Sequence, residues 1–269
     1  MLGSSREALN SLRGYVSQRS GQSDFASTPS QLLSAASLLS SDKALRVAMS
    51  DNGQSVDSRV ALVRELFGSQ LTGTAVDILA QAASQRWSSS DDIVDAVEDI
   101  AAFVVFALAD KAGELDRVEK EIFAFSRAVD ANSELQMALT NPALPGTAKS
   151  AVVKDVLGGR SAQGTLTLLE HAAANLRGRR VDVALRRLSV SAAEARSRIV
   201  ADVRAVTELT SDQSQRLAAV LGRLAGREVS LNLIVDPSII GGISVRLNDD
   251  VIDGSIRTRL EQARRALVG

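Results

Sequence analysis

Val229-Ser230-Leu231-Asn232-Leu233-Ile234-Val235-Asp236-Pro237, followed by Gly241-Gly242-Ile243-Ser244-Val245-Arg246-Leu247, is the stretch against which the rest of the chain can be read. Val229, Leu231, Leu233 and Val235 alternate with Ser230, Asn232 and Ile234, the period of a strand with one buried face. Asp236-Pro237 stops that ladder, because proline donates no amide and biases its predecessor towards extended geometry. Gly241-Gly242 permits a bend before Ile243, Val245 and Leu247 alternate as a second strand. Asn248-Asp249-Asp250 is turn chemistry, and Val251-Ile252 returns briefly as strand. Asp253-Gly254-Ser255 then opens a helix, with Asp253 or Ser255 as its cap and Ile256, Leu260, Ala263 and Leu267 at helical spacing.

Working backwards, Ile199, Ala201, Val203 and Ala205 alternate as another strand, and Thr210-Ser211-Asp212 caps a helix from Gln213 to Ala225. Residues 197–269 therefore read as a small α/β domain of about three strands and two helices. Everything before it has helical period. The chain is 45% hydrophobic but only 3% aromatic, with Ala and Leu carrying the apolar content, a mixture suited to helix bundles. Its net charge of −1 offers no whole-molecule field for nucleic acid or an acidic membrane. There is no cysteine, which removes disulfides, thiolate metal sites and a thiol nucleophile, and fits a reducing compartment. Met1 to Val16 lacks a signal peptide's apolar run, and Ile100 to Ala109 is about half of the roughly 20 residues a bilayer span needs. Direct membrane insertion is not expected.

The helical part repeats. Sliding the chain by 90 positions aligns Leu32–Glu98 with Ile122–Leu188 without a gap. Leu45, Ala48, Ala61, Val63, Gly68, Leu79, Ala82 and Ala83 meet Leu135, Ala138, Ala151, Val153, Gly158, Leu169, Ala172 and Ala173, and the apolar period stays in phase. Ser4 to Val16 reads as a helix, Gln18 to Ser30 as a Ser/Gly-rich loop. The second unit reads as six helices: 93–111, 117–131, 133–139, 147–157, 165–175 and 181–196. The predicted fold is thus mainly α: two tandem six-helix bundles over 1–92 and 93–196, then the α/β domain over 197–269.

Val235-Asp236-Pro237-Ser238-Ile239-Ile240-Gly241-Gly242-Ile243, Val251-Ile252-Asp253-Gly254-Ser255 and Arg259-Leu260 together resemble the C-terminal signature of the ATP synthase delta subunit family, which includes the mitochondrial oligomycin-sensitivity-conferring protein. Glu134-Leu135, Leu139, Asn141-Pro142 and Lys149 resemble that family's helical-domain motif. The resemblance covers residues 93–269. Residues before 92 depart from the usual single bundle and are similar to the long, duplicated actinobacterial form. No long charged stalk helix or membrane segment precedes them, so a fused stalk subunit is not expected. The resemblance implies a non-catalytic stator that joins the alpha/beta catalytic head to a b-type stalk subunit, peripheral at the cytoplasmic face of the membrane. It also implies a groove between the helices 93–111 and 165–174 for the alpha subunit's N-terminal segment. On that implication the candidate groove residues are Val97, Ile100, Phe103, Val104, Leu108, Leu166 and Leu169, and the structural signature is Asp236, Pro237, Gly241, Gly242, Asp253, Gly254 and Ser255.

Other chemistry is weighed and set aside. His171 is the single histidine, so neither a tetrahedral zinc site nor an oriented catalytic pair is indicated, and packing is the simpler role. Asp249, Asp250 and Asp253 lack the spacing of a calcium loop. Gly241-Gly242 lacks the following Lys-Ser/Thr of a phosphate loop. No cofactor or metal is expected. Arg177, Arg179, Arg180, Arg186 and Arg187 are a basic cluster. They read as a solvated face with Asp182–Arg186 pairing, or alternatively as the footprint of a helical scaffold or nucleic-acid-binding protein. No aromatic stacking platform accompanies them, so nucleic acid is not an expected partner.

Overall fold

The computed structural model describes residues 3–225, 228–236, 239, 241–247 and 250–253. The predicted helix from Ile256, together with Pro237, Asp249, Gly254 and Ser255, lies outside them. Two compact units result, Met1–Ala195 and Arg196–Gly269.

The first unit consists of helices α1 (Ser4–Ser17), α2 (Thr28–Ser41), α3 (Lys43–Ser50), α4 (Val56–Phe67), α5 (Gly73–Ser84), α6 (Ser90–Lys111), α7 (Leu115–Ala131), α8 (Ser133–Thr140), α9 (Gly146–Leu157), α10 (Gln163–Ala174) and α11 (Val181–Ser197). The 90-residue offset carries α3, α4 and α5 onto α8, α9 and α10 at both ends. It also carries α1 into α6, and α6 onto the region of α11. One helix therefore closes the first six-helix array and opens the second. The division between 92 and 93 falls inside α6, near its start.

Composition explains how α6 can serve twice. Ile93, Val94, Val97, Ile100, Val104 and Phe106 are all 2% exposed or less, which leaves it buried on nearly every side. It packs against α1, α2, α3 and α5 of the first array and α7 and α10 of the second. Its start is secured by Ser89, whose side chain accepts from the Asp91 amide, with Asp91 and Asp92 in the first turn and Lys111 in the last. The buried apolar cluster runs without interruption from Ala8 to Ala192.

The repeat extends to individual hydrogen bonds. Asp42 caps α3 through the Leu45 amide at 3.0 Å, and Asn132 caps α8 through the Leu135 amide at 3.0 Å. Gln31 Oε1 on α2 accepts from the Thr72 amide before α5, and its counterpart Glu121 Oε2 on α7 accepts from the Ala162 amide before α10. Glu121 also accepts from Thr165 Oγ1 at 2.6 Å. In each array a side chain of the second helix ties down the start of the fifth, whose first amides have no helical acceptor. Replacing Glu121 by alanine should cost about 1–2 kcal/mol in a denaturant titration. A loss below a few tenths would remove this tether from the account.

In the second unit, β1 (Arg198–Ala205), α12 (Ser211–Ala225) and β2 (Glu228–Val235) form a parallel β-α-β unit. β3 (Ile243–Leu247) pairs antiparallel with β1, and β4 (Asp250–Asp253) with β3, giving the order β2-β1-β3-β4. The brief strand read at Val251-Ile252 is thus a fourth, paired strand. Asp253 is its last residue, partnered with Ser244 in the ladder. Thr210 Oγ1 accepts from the Gln213 amide while Gln213 Oε1 accepts from the Thr210 amide, a reciprocal cap that starts α12. Ala201, Val203, Val229 and Val245 meet Leu221 of α12 in a small core. Asp236 leaves the sheet with its amide donating to the Ala205 carbonyl at 2.8 Å. Gly241 and Gly242 follow at φ 145° and 83°, values that L side chains rarely adopt.

Candidate functional site

The seam between α6 and α10 is held close by a missing side chain. A Cβ on Gly164 would stand 2.6 Å from Val105 Cγ1, so only glycine lets the two helices approach this far. Of the groove residues read from the sequence, Val97, Ile100, Val104 and Leu169 are 0% exposed, enclosed by the chain itself. Phe103, Leu108 and Leu166 remain half-buried.

Helix α2 is a large part of the reason. It packs along α6. Its Leu33, 5% exposed, borders a cavity of about 50 Å³ with Ala102 of α6 and Leu168 and Ala172 of α10. One end of the seam stays open as a hollow of about 330 Å³, lined among others by Pro29 of α2, Val105 and Leu108 of α6, and Gly164 and Thr167 of α10. The family resemblance pointed to these two helices but not to the third that packs along them. A signal was available: Leu33 lies beside the stripe Pro29, Leu32, Ala36 and Leu39 and not on it, so the apolar surface of α2 is wider than one core-facing stripe.

Beside the seam lies a knot of charge. Arg177 Nη2 donates to Glu98 Oε2 at 2.6 Å and also to Asp95 Oδ1. Arg179 reaches Glu98 at 3.3 Å, and Arg187 reaches Asp99 at 2.7 Å and Asp95 at 3.5 Å. His171 Nε2 lies 3.1 Å from Glu98 Oε1. With Asn175 Nδ2 donating to His171 Nδ1 at 3.3 Å, the Nε2 proton is the one offered to the carboxylate. Burial works to raise the Glu98 carboxyl, but the His171 hydrogen bond and the Arg177 charge outweigh it and hold it below its usual range. At Asp99 burial wins over Arg187 and pushes the carboxyl up. The Arg187 guanidinium is raised: burial acts against its charge, but Asp99 more than compensates.

This corrects the reading of the basic cluster as a solvated face. Arg177, Arg179 and Arg187 turn inward to α6, and only Arg180 and Arg186 stay exposed, both against Asp182 at 3.0 and 4.0 Å. The predicted Asp182–Arg186 pair is present. Position by position, the first array carries Ser5, Ala8, Leu9, Gln81, Trp87 and Val97 where the second carries Asp95, Glu98, Asp99, His171, Arg177 and Arg187. A largely apolar joint has become an ionic one at the same place in the fold. His171 therefore serves packing and hydrogen bonding. Among the described residues no group of three His, Cys, Asp or Glu could hold a metal ion. No described helix is long and apolar enough to cross a membrane.

Comparison with known proteins places this arrangement. A family model described as ATP synthase delta (OSCP) subunit matches residues 102–267, beginning within α6. The ATP synthase subunit delta of Streptomyces coelicolor is 40% identical over 269 residues, covering 99% of this chain and 98% of that one. That of Parafrankia is 39% identical over 236 residues, covering 88% and 85%. Full-length relatives thus share the first array as well. Among solved structures, a chain of the Toxoplasma gondii mitochondrial ATP synthase hexamer aligns at 23% identity with a TM-score of 0.29, over 64% of this chain and 97% of that one.

Proposed function

The chain belongs to the ATP synthase delta (OSCP) subunit family and is a non-catalytic stator component of that complex; from that premise we propose that it joins the alpha/beta head to a b-type peripheral stalk at the cytoplasmic face of the membrane. Rotation of a central shaft does chemical work only if the head cannot turn with it. A connector must therefore bind both sides tightly and deform little. The observation that carries this reading is the relationship over nearly the whole chain. The continuous core through α6 supports it, because a close-packed body transmits load without a slack joint.

In this reading the helical unit grips the alpha subunit's N-terminal segment, and the unit from 196 to 269 receives the stalk end. The open end of the α6–α10 seam, with Leu108 at its lip, suits an apolar side chain or two of a bound segment, with surrounding charges fixing orientation. The alternative of a nucleic-acid-binding scaffold is not favoured, since three of its five arginines are engaged within the fold. A grip that persists over many turnovers needs nanomolar affinity, about 12 kcal/mol.

The test is titration of an alpha-subunit N-terminal peptide into the full-length chain. Cutting between 92 and 93 would strip α2 from α6 and expose an artificial face. The intact chain should saturate with peptide, and Leu108→Asp should weaken binding about tenfold or more. An intact chain that ignores the peptide defeats this grip. Proton-driven ATP synthesis that stays coupled without the chain defeats the stator role itself.

A further inference from the structure

The 90-residue offset lays the seam between α1 and α5 onto the seam between α6 and α10, and the two differ where it matters. In the second array Gly164 lets α10 come up against Val105, and the hollow of about 330 Å³ stays open beside them. In the first, Tyr15 stands in place of Val105 and Thr74 in place of Gly164. Thr74 is 6% exposed and is held from the turn before α2. Asp24 Oδ2 accepts from its amide at 3.0 Å, and Asp24 Oδ1 accepts from its hydroxyl at 2.5 Å. The Arg19 guanidinium lies 3.4 Å from the centre of the Tyr15 ring and donates to the Tyr15 carbonyl at 3.2 Å. The first seam is thus filled by its own side chains and stitched at its end.

The counterpart of Asp24 is Glu114, on the rim of the hollow. Gly164 has no hydroxyl to offer it, and Glu114 accepts from Arg117 Nη1 instead, at 3.3 Å. The open end also takes a third wall from the first array. Ala26 and Ser30, both exposed, and the buried Pro29 line it from the start of α2. The lining is mainly apolar, and Glu114, its charged member, already has a partner. Such a hollow suits an apolar side chain or two of a bound segment, not the surface of a folded domain.

We propose that the chain grips the head through one segment at this composite site, that Ala26, Pro29 and Ser30 of the first array help decide which segment fits, and that the first array's own seam takes none. This rests on the grip assigned above to the α6–α10 seam. It gives the duplication a role there: the earlier repeat closes its own seam and walls that of its successor.

Titration calorimetry of the alpha-subunit N-terminal peptide into the full-length chain reads stoichiometry and affinity together. One peptide per chain is expected. Ser30→Trp puts a large ring at the mouth of the hollow from an exposed position, leaving the core untouched. It should weaken binding about tenfold or more with an unchanged denaturant midpoint. Ala26→Trp should do the same from the adjoining turn. Gln18→Trp, at the exposed position that corresponds to Leu108 in the first seam, should keep the affinity of the parent. Two peptides per chain overturn the proposal, as does parent affinity in either Ser30→Trp or Ala26→Trp. A loss in Gln18→Trp equal to theirs overturns it too. A parent chain that binds no peptide defeats the grip itself and this proposal with it, and the parent titration alone tells that failure from the others.

Discussion

Replacing Ile100 by alanine is expected to lower the unfolding free energy of the whole 1–195 unit by about 2–5 kcal/mol, in one transition. Ile100 is 0% exposed at the middle of α6, where the two six-helix arrays share a helix. Truncation removes buried methyl and methylene groups and leaves a cavity that close-packed neighbours fill only in part. The cost should not stay in one array, because α6 packs against α2 and α3 as well as α7 and α10. Helix content followed by circular dichroism and burial of Trp87 followed by fluorescence should shift to the same lower denaturant midpoint. Trp87 reports on the first array, where it is 3% exposed and donates Nε1–H to the Ala82 carbonyl at 2.8 Å. Two separated transitions, with only one of them displaced, would show that the arrays unfold independently and that sharing α6 does not couple them.

The second large effect belongs to the ionic knot. Glu98→Ala should cost about 3 kcal/mol, since it removes the acceptor that His171, Arg177 and Arg179 share and leaves the two arginines with Asp95 only. Its pH dependence is a sharper test than its size. The Glu98 carboxyl is depressed in the folded chain, so its contribution is present above the ordinary carboxylate pKa and is lost as pH falls through the folded value. Glu98→Gln should flatten the loss of stability on acidification, and an unchanged acid limb would refute the assignment. Asp99 has the opposite sign. Its carboxyl is raised, so its contribution is present below the ordinary value and declines as pH rises through the folded one. For Asp99→Asn, the stability difference from the parent should therefore shrink or change sign in that direction as pH climbs from about 4.

The duplicated helices were legible because apolar period and cap chemistry are local. The helices over 133–139 and 147–157 lie within a residue or so of α8 and α9, and Leu9, Leu12 and Val16 form the buried stripe of α1 as read. The alternation at Ile199–Ala205, Val229–Val235 and Ile243–Leu247 marked three strands correctly. Their order was not legible, because alternation names a strand's inner face and says nothing about its neighbour. Nor was the inward turn of Arg177, Arg179 and Arg187. Their partners Asp95, Glu98 and Asp99 stand some 80 to 90 residues away, beyond any spacing rule for pairs on one helix.

By itself, then, the sequence determined the element types, the 90-residue repeat and the family, since each is written in short-range period or in ordered motifs. Tertiary structure alone decided that the two arrays share α6, that α2 covers much of the seam assigned to a partner, and that the seam beside Gly164 keeps an open end where the one beside Thr74 is closed. An apolar face must leave water, but many surfaces can take it in. Which one does so is settled only when the helices pack.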